Sequence, residues 1–287
     1  MNGILIIDKR QDWTSHDIVA KSRGILRTRA IGHAGTLDPL ATGVLPLLVG
    51  SATKALDYLP SGKHYIATMR LGITTDTQDI TGNVTSTSDA LPPYDAVQNV
   101  LPEFTGAQQQ IPPMYSAVKI DGKKLYDIAR KGGEIERPPR DIMIKKLELL
   151  SQSDNDYVIE VHCSGGTYIR TLCHDIGQKL GCGAVMTALR RTMACNFTLD
   201  NAVTLDDLQN GNVPLIDTDT IFADHPMITA TDEEIAKICN GQAIANPRRC
   251  GTKGKESKFV RVYTPNGQFF MLGCIDDGMI KQVKRFM

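Results

Sequence analysis

The sequence predicts an α+β protein in which helices flank a sheet and a small β-barrel closes the chain. Three observations carry that expectation. Segments alternating apolar and polar residues at a period of two, notably 63–72 and 156–163, lie far apart in the chain. Around them stand stretches of helical spacing with readable ends, at 15–26 and 167–180. Finally, three short strand candidates, 259–263, 268–275 and 279–284, follow one another, the first two joined at Pro265-Asn266-Gly267, a strong hairpin signal.

Composition narrows the class. The chain has 287 residues, enough to bury a substantial core, with 41% apolar and 22% charged side chains, as in ordinary globular proteins. No apolar run approaches the roughly 20 residues that span a bilayer. Residues 1–8 read as a short buried strand, without the basic start and cleavage signature of a secretory leader. A cytoplasmic protein is expected. Seven cysteines, none in a Cys-x-x-Cys pair, signal neither a zinc site nor a disulfide framework, so reduced, mostly buried thiols are expected. Cys173-His174-Asp175 tempts a nucleophile reading, but adjacent residues on a helix point in different directions. Net charge is zero, yet residues 200–240 hold nine acids against one lysine, and residues 247–287 nine bases against three acids. Such a partition leaves room for a basic, phosphate-attracting face.

Taken in order, the apolar start is followed by a helix over 15–26, with Thr14 or Ser15 as its N-cap and Asp17 at the favourable end of the dipole. The run from Gly32 to Leu45 mixes glycines, His33 and Asp38-Pro39, and is expected to be irregular throughout; Pro39 pushes Asp38 out of the α region and so fixes its direction. A short helix over 51–59 and a strand headed by Tyr65 come next. Residues 95–104 read as a helix, and 108–119 as an extended segment stiffened by prolines. Residues 119–146 hold nine bases and five acids around Gly132-Gly133, a basic loop of the length that tends to be functional. After the strand at 156–163, Arg170 stands at a helix start, where the dipole disfavours a cation; a buried carboxylate partner would resolve this. Glycines 181 and 183 end that helix, and 184–191 is expected to begin another. Thr231-Asp232-Glu233-Glu234 opens a helix to Ile238.

The segment Gly32-His33-Ala34-Gly35-Thr36-Leu37-Asp38-Pro39-Leu40-Ala41-Thr42-Gly43-Val44-Leu45 resembles the catalytic loop of the TruB family of tRNA pseudouridine synthases, in which the aspartate of GHxGTLDPxATGxL is the nucleophile. Tyr65 matches the tyrosine of KxYxA, which stacks on the target uracil and takes part in the proton chemistry. Arg170 matches the arginine of GTYIRxL, which pairs with the catalytic aspartate. The resemblance therefore implies catalytic roles for Asp38, Tyr65 and Arg170. It implies that Tyr168 and Leu189 line the uracil pocket and that His33 contacts the splayed-out RNA. It also implies a largely antiparallel sheet with a cleft across its middle (residues 1–226), a thumb-like RNA-binding insertion at about 103–146, and a PUA-like RNA-binding domain at 227–287. Lys9, Lys119, Lys123, Arg130, Arg137 and Arg140 become candidate RNA contacts. One departure stands out: Arg10 and Asp12 replace the proline and glycine of the family's DKPxGxTS, so that loop is expected to be shaped differently.

The implied reaction breaks the N1–C1′ bond of uridine, turns the base and rejoins it through C5. It needs no redox partner, and no Walker loop, GxGxxG or metal-ligand spacing appears in the chain. No cofactor and no metal are expected. Whether the first attack falls on C1′ or C6 stays open. Three readings compete: a monomeric stand-alone synthase acting on the T-arm uridine (position 55) of tRNA, a guide-RNA-dependent relative, and a non-catalytic RNA chaperone.

Overall fold

The computed structural model describes residues 1–120, 122–211, 213, 215–247 and 258–287. The first strand, β1 (Gly3–Lys9), is buried along its length. Helix α1 (Ser15–Ile25) starts where Thr14 and Asp17 close a capping box, Thr14 Oγ1 accepting from the Asp17 amide at 3.1 Å and Asp17 Oδ2 accepting from the Thr14 amide at 2.8 Å. The loop before it keeps a glycine-like bend, because Asp12 itself takes φ 65°, a region aspartate tolerates better than most residues.

Two strands follow, β2 (Ile31–His33) and β3 (Thr42–Val49). Only residues 34–41 are irregular, which corrects the expectation for the whole 32–45 run. Its glycines do not break the strands: Gly43, at φ 102°, lies within β3. A 3-10 segment (Gly50–Tyr58) leads to β4 (Lys63–Leu71), whose side chains alternate between core and surface. The small pair β5 (Ile73–Thr75) and β6 (Val84–Thr87) precedes α2 (Tyr94–Val100), a further 3-10 turn (Leu101–Phe104) and β7 (Gly106–Gln110). Two-residue strands β8 (Lys119–Ile120) and β9 (Lys123–Lys124) and the short α3 (Leu125–Ala129) form the core of the basic insertion. Both ends of the 103–146 segment belong elsewhere: β7 pairs with β10 (Arg140–Ser153) in the main sheet. Next come β11 (Asp156–Cys163), α4 (Ile169–Leu180), β12 (Ala184–Ala194), β13 (Phe197–Thr198) and α5 (Leu205–Gln209).

The helix expected at 184–191 is thus a strand. Gly181 in the left-handed region ends α4, and Gly183, also left-handed, turns the chain back onto the sheet. There the backbone of β12 pairs with β4 on one side and β3 on the other. Central burial on two sides overrides local propensity.

The main sheet has nine strands in the order β1-β3-β12-β4-β11-β10-β7, with β2 on β3 and β13 on β12. Every pair is antiparallel except β3 with β12. The largest core lies where α1, α2 and α4 cover one face; a second cluster packs residues 197–221 behind β1 and β3. A separate five-stranded sheet uses β14 (Met227–Thr229), β15 (Ile244–Ala245), β16 (Phe259–Tyr263), β17 (Phe269–Asp276) and β18 (Met279–Arg285), in the order β14-β16-β17-β18-β15. It curls into half a barrel, with α6 (Asp232–Cys239) against it. Four of the basic residues counted at 247–287 (Arg248, Arg249, Lys253 and Lys255) lie outside the described residues.

Candidate active site

Asp38 sits on the irregular loop between β2 and β3, and that loop is held from three sides. Ser15, the first residue of α1, accepts from the Leu37 amide at 2.9 Å and donates to the Leu37 carbonyl at 3.2 Å. From β1, Lys9 Nζ donates to the carbonyls of Arg10 (2.9 Å), Trp13 (2.7 Å) and Pro39 (3.2 Å). From β12, Arg191 donates to the carbonyls of Val44 (2.7 Å), Gly35 (3.1 Å) and Thr36 (3.4 Å). Both cations are fully buried. Loop carbonyls that would otherwise be desolvated are thereby satisfied, and the direction of Asp38 is fixed.

Lys9 is therefore not an RNA contact. Its ammonium points inward to three carbonyls, and desolvation brings its pKa down to about 8. Of the other candidate contacts, Lys119, Lys123, Arg130 and Arg140 are exposed, while Arg137 is half-buried and pairs with Glu134 at 3.2 Å.

Arg170, in the first turn of α4 and 4% exposed, reaches Asp38 with two donors: Nε to Oδ2 at 2.9 Å and Nη2 to Oδ1 at 3.3 Å. Its remaining donors meet the carbonyls of Thr77 and Tyr115, each at 2.8 Å, and Nη1 lies 3.7 Å from Asp79 Oδ2. Asp79 is itself fixed by Thr77, the Thr81 amide and the Thr81 hydroxyl. The cation at the helix start thus faces two carboxylates, and a planar guanidinium suits that fork. The Asp38 side chain, 37% exposed, faces an opening of about 240 Å³, lined among others by Lys63, Tyr65, Tyr168, Arg170 and Leu189. That volume is many times the roughly 10–15 Å³ that holds one water.

Tyr65 is buried, and burial pushes its phenol up to about 12, partly opposed by the neighbouring Arg191. It presents a neutral ring to the opening. Tyr168 is positioned by Gln110, which accepts from the Tyr168 amide at 2.8 Å and donates to its carbonyl at 3.0 Å. His33 ends β2 beside His16, its ring centroid 5.6 Å away, and does not line the opening. Burial holds its pKa below the usual histidine value. Cys173 is a core residue whose thiol burial raises to about 12, which fits a packing role for that triplet.

Sequence reasoning missed Asp79, Gln110 and Arg191. Asp79 lies in the turn between β5 and β6, far in sequence from Arg170, and Arg191 in the segment expected to begin a helix. The Arg190-Arg191 pair inside an otherwise mainly apolar run was the available signal for Arg191.

Residues 23–169 match the N-terminal domain of the TruB family of pseudouridylate synthases; residues 170–219 and 226–285 match, respectively, the tRNA pseudouridylate synthase B and the pseudouridine synthase II TruB C-terminal domains. The chain is 41% identical to a tRNA pseudouridine synthase B of Clostridium kluyveri over the whole of both chains, and 50% identical to that of Syntrophotalea carbinolica over 73% of this chain and 69% of the relative. Among solved structures, an H/ACA RNP bound to a substrate RNA containing 2′-deoxyuridine superimposes with a TM-score of 0.70 at 26% identity, covering 99% of this chain and 85% of that one. The chain belongs to the TruB family of pseudouridylate synthases.

Proposed function

We propose that the protein isomerises a uridine of tRNA to pseudouridine, at position 55 in the T-arm, acting as a cytoplasmic monomer without guide RNA, cofactor or obligatory protein partner. The observation that carries this reading is the Asp38–Arg170 ion pair at an opening large enough for one extruded base. The pair aims Asp38 at the opening; Tyr65 and Tyr168 offer aromatic faces, and Leu189 an apolar wall. The carboxylate stabilises the reacting nucleotide while N1–C1′ breaks and C5–C1′ forms. The C5 proton leaves and N1 regains one, so atoms and electrons balance without an external reagent. Extruding the base costs a few kcal/mol, which stacking and phosphate contacts offset.

In this reading residues 1–226 form the catalytic unit, the insertion at about 103–146 closes over the RNA through Lys119, Lys123, Arg130, Arg137 and Arg140, and residues 227–287 form a PUA-like RNA-binding unit. His33 meets the RNA beside the opening. The names of relatives 41% identical over full length support a tRNA pseudouridine synthase more directly than the 26% identical RNP does.

Asp38→Asn is the test. Purified protein is incubated with unmodified tRNA transcript alone, and pseudouridine is mapped by nucleotide. Conversion by the wild type at position 55, with binding kept and conversion lost in Asp38→Asn, supports the reading. Equal conversion by the variant overturns it. A wild type that binds but never converts supports a chaperone instead.

A further inference from the structure

Lys63 opens β4 two residues before Tyr65, on the same face of the sheet, and it lines the opening together with Asp38 and Arg170. Lys63 is half-buried, and the more deeply buried cations around it are answered. Arg170 meets Asp38 and Asp79, while Lys9 and Arg191 each meet three carbonyls. Among the described residues, the Lys63 ammonium has neither a carboxylate in ion-pair reach nor a hydrogen-bond acceptor, its backbone alone pairing in the sheet. Its nearest titratable neighbours besides Arg191 are Cys163 and Cys195, thiols that burial keeps neutral, Cys163 being raised to about 11. Burial and the Arg191 charge both disfavour its ammonium, yet the fold places it there. An unanswered, partly desolvated cation at a cavity is the mark of a site completed by a ligand.

The chemistry of that ligand follows from position. Lys63 stands one strand repeat, about 7 Å, from Tyr65, on the less buried side. Its Nζ lies beside Gly35, 3.5 Å from where a Cβ there would sit, at the start of the Asp38 loop. A base lying against Tyr65 leaves its ribose and phosphates on that outer side. The base of uridine is neutral; the anions that an extruded nucleotide carries are its two phosphodiesters. We propose that Lys63 binds a phosphodiester flanking the extruded nucleotide and so sets how deeply the nucleotide enters. This rests on reading the opening as a uridine site.

The test is a cycle between protein and RNA. Wild type and Lys63→Met are titrated, by fluorescence anisotropy, with T-arm stem-loops that are either all-phosphate or carry one neutral methylphosphonate 5′ or 3′ of the target uridine. Conversion under single turnover is measured in parallel. Lys63→Met is expected to weaken binding of the all-phosphate RNA roughly tenfold and to reduce the log–log salt slope by about one. Its limiting rate should stay within about threefold and its Tm should not fall, since no partner in the protein is lost. With one of the two neutral linkages, wild type and variant should bind alike. Losses that add for both linkages overturn the proposal. So does a lowered limiting rate at unchanged affinity, which places Lys63 at the base, or a Tm loss that accounts for the weaker binding. If the wild type converts no uridine while the cycle still couples, the uridine reading fails and the phosphodiester contact stands.

Discussion

At the scale of single residues, the site depends on the shape of the Arg170 group as much as on its charge. Its donors serve both oxygens of Asp38 and the carbonyls of Thr77 and Tyr115. Lysine keeps the charge but gathers its three donors on one atom and cannot span that fork. Arg170→Lys should therefore lower single-turnover conversion about 100-fold or more, by misplacing the carboxylate, and lower stability by roughly 1.5–3 kcal/mol. Single-turnover rates and urea midpoints check both halves; near-normal conversion would mean that only the charge matters. Asp175, on the same helix, makes the opposite case. Burial alone lifts its carboxyl from 3.8 to about 6. A folded pKa above the unfolded one means stability is fully present below about pH 4 and lost as pH rises through 6. Asp175→Asn should therefore gain roughly 1–3 kcal/mol over the wild type at pH 7.5, and nothing at pH 4, with conversion unchanged. Paired urea melts at the two pH values decide it.

At the scale of elements, β12 braces the site through Leu189 and Arg191 and is also the element least legible in the sequence. A short, mainly apolar run that follows two glycines reads equally as a helix or a buried strand, and only its partners decide between them. Those partners, β3 and β4, lie more than 100 residues earlier. The Asp38–Arg170 pair spans 132 positions, so nothing local announces it; the loop motif and the odd arginine at a helix start did so indirectly. The capping boxes at Thr14 and Thr231 and the hairpin at 265–267 were readable because their chemistry closes within a few residues. Lys9 was misread because charge alone does not tell whether a chain turns inward. One contact ties β12 to the Asp38 loop. Gly43 of β3 sits at φ 102° against the β12 backbone, and a Cβ there would lie 2.2 Å from the Arg191 carbonyl oxygen. Gly43→Ala combines backbone strain with overpacking and should cost roughly 2–5 kcal/mol. It should also lower conversion, because Arg191 holds the loop carbonyls. Chemical denaturation gives the first number, and a loss below about 1 kcal/mol would show that the two strands slide apart freely.

At the scale of the whole molecule, two sheets with separate cores meet on a third, mainly aromatic cluster. Phe222 lies at its centre, with ring centroids 5.6 Å from Tyr58, 5.9 Å from Phe269 and 5.8 Å from Phe286. Ala55 and Leu272 complete the buried set. Polar bonds flank it: Lys54 Nζ donates to the Arg285 carbonyl at 3.0 Å, Arg261 Nε to the His225 carbonyl at 3.0 Å, and the Tyr263 hydroxyl to Asp219. Because Tyr58 follows β3, while Phe269 belongs to β17 and Phe286 directly follows β18, the cluster transmits the position of one sheet to the other. Rims of hydrogen bonds alone contribute about 1 kcal/mol each, so the aromatic burial should dominate the coupling. Phe222→Ala should then remove about 3–5 kcal/mol, almost all of it from the association of the two sheets rather than from either core. Calorimetry is the direct readout. The wild type should show closely coupled unfolding, and the variant two separated transitions, the smaller and earlier one belonging to the five-stranded sheet. A variant whose single transition merely shifts would mean that the two cores cooperate through the polar bonds instead. Conversion of a short stem-loop, which needs only the opening around Asp38, should survive the change, whereas the RNA-binding role proposed for residues 227–287 predicts that affinity for full-length tRNA falls.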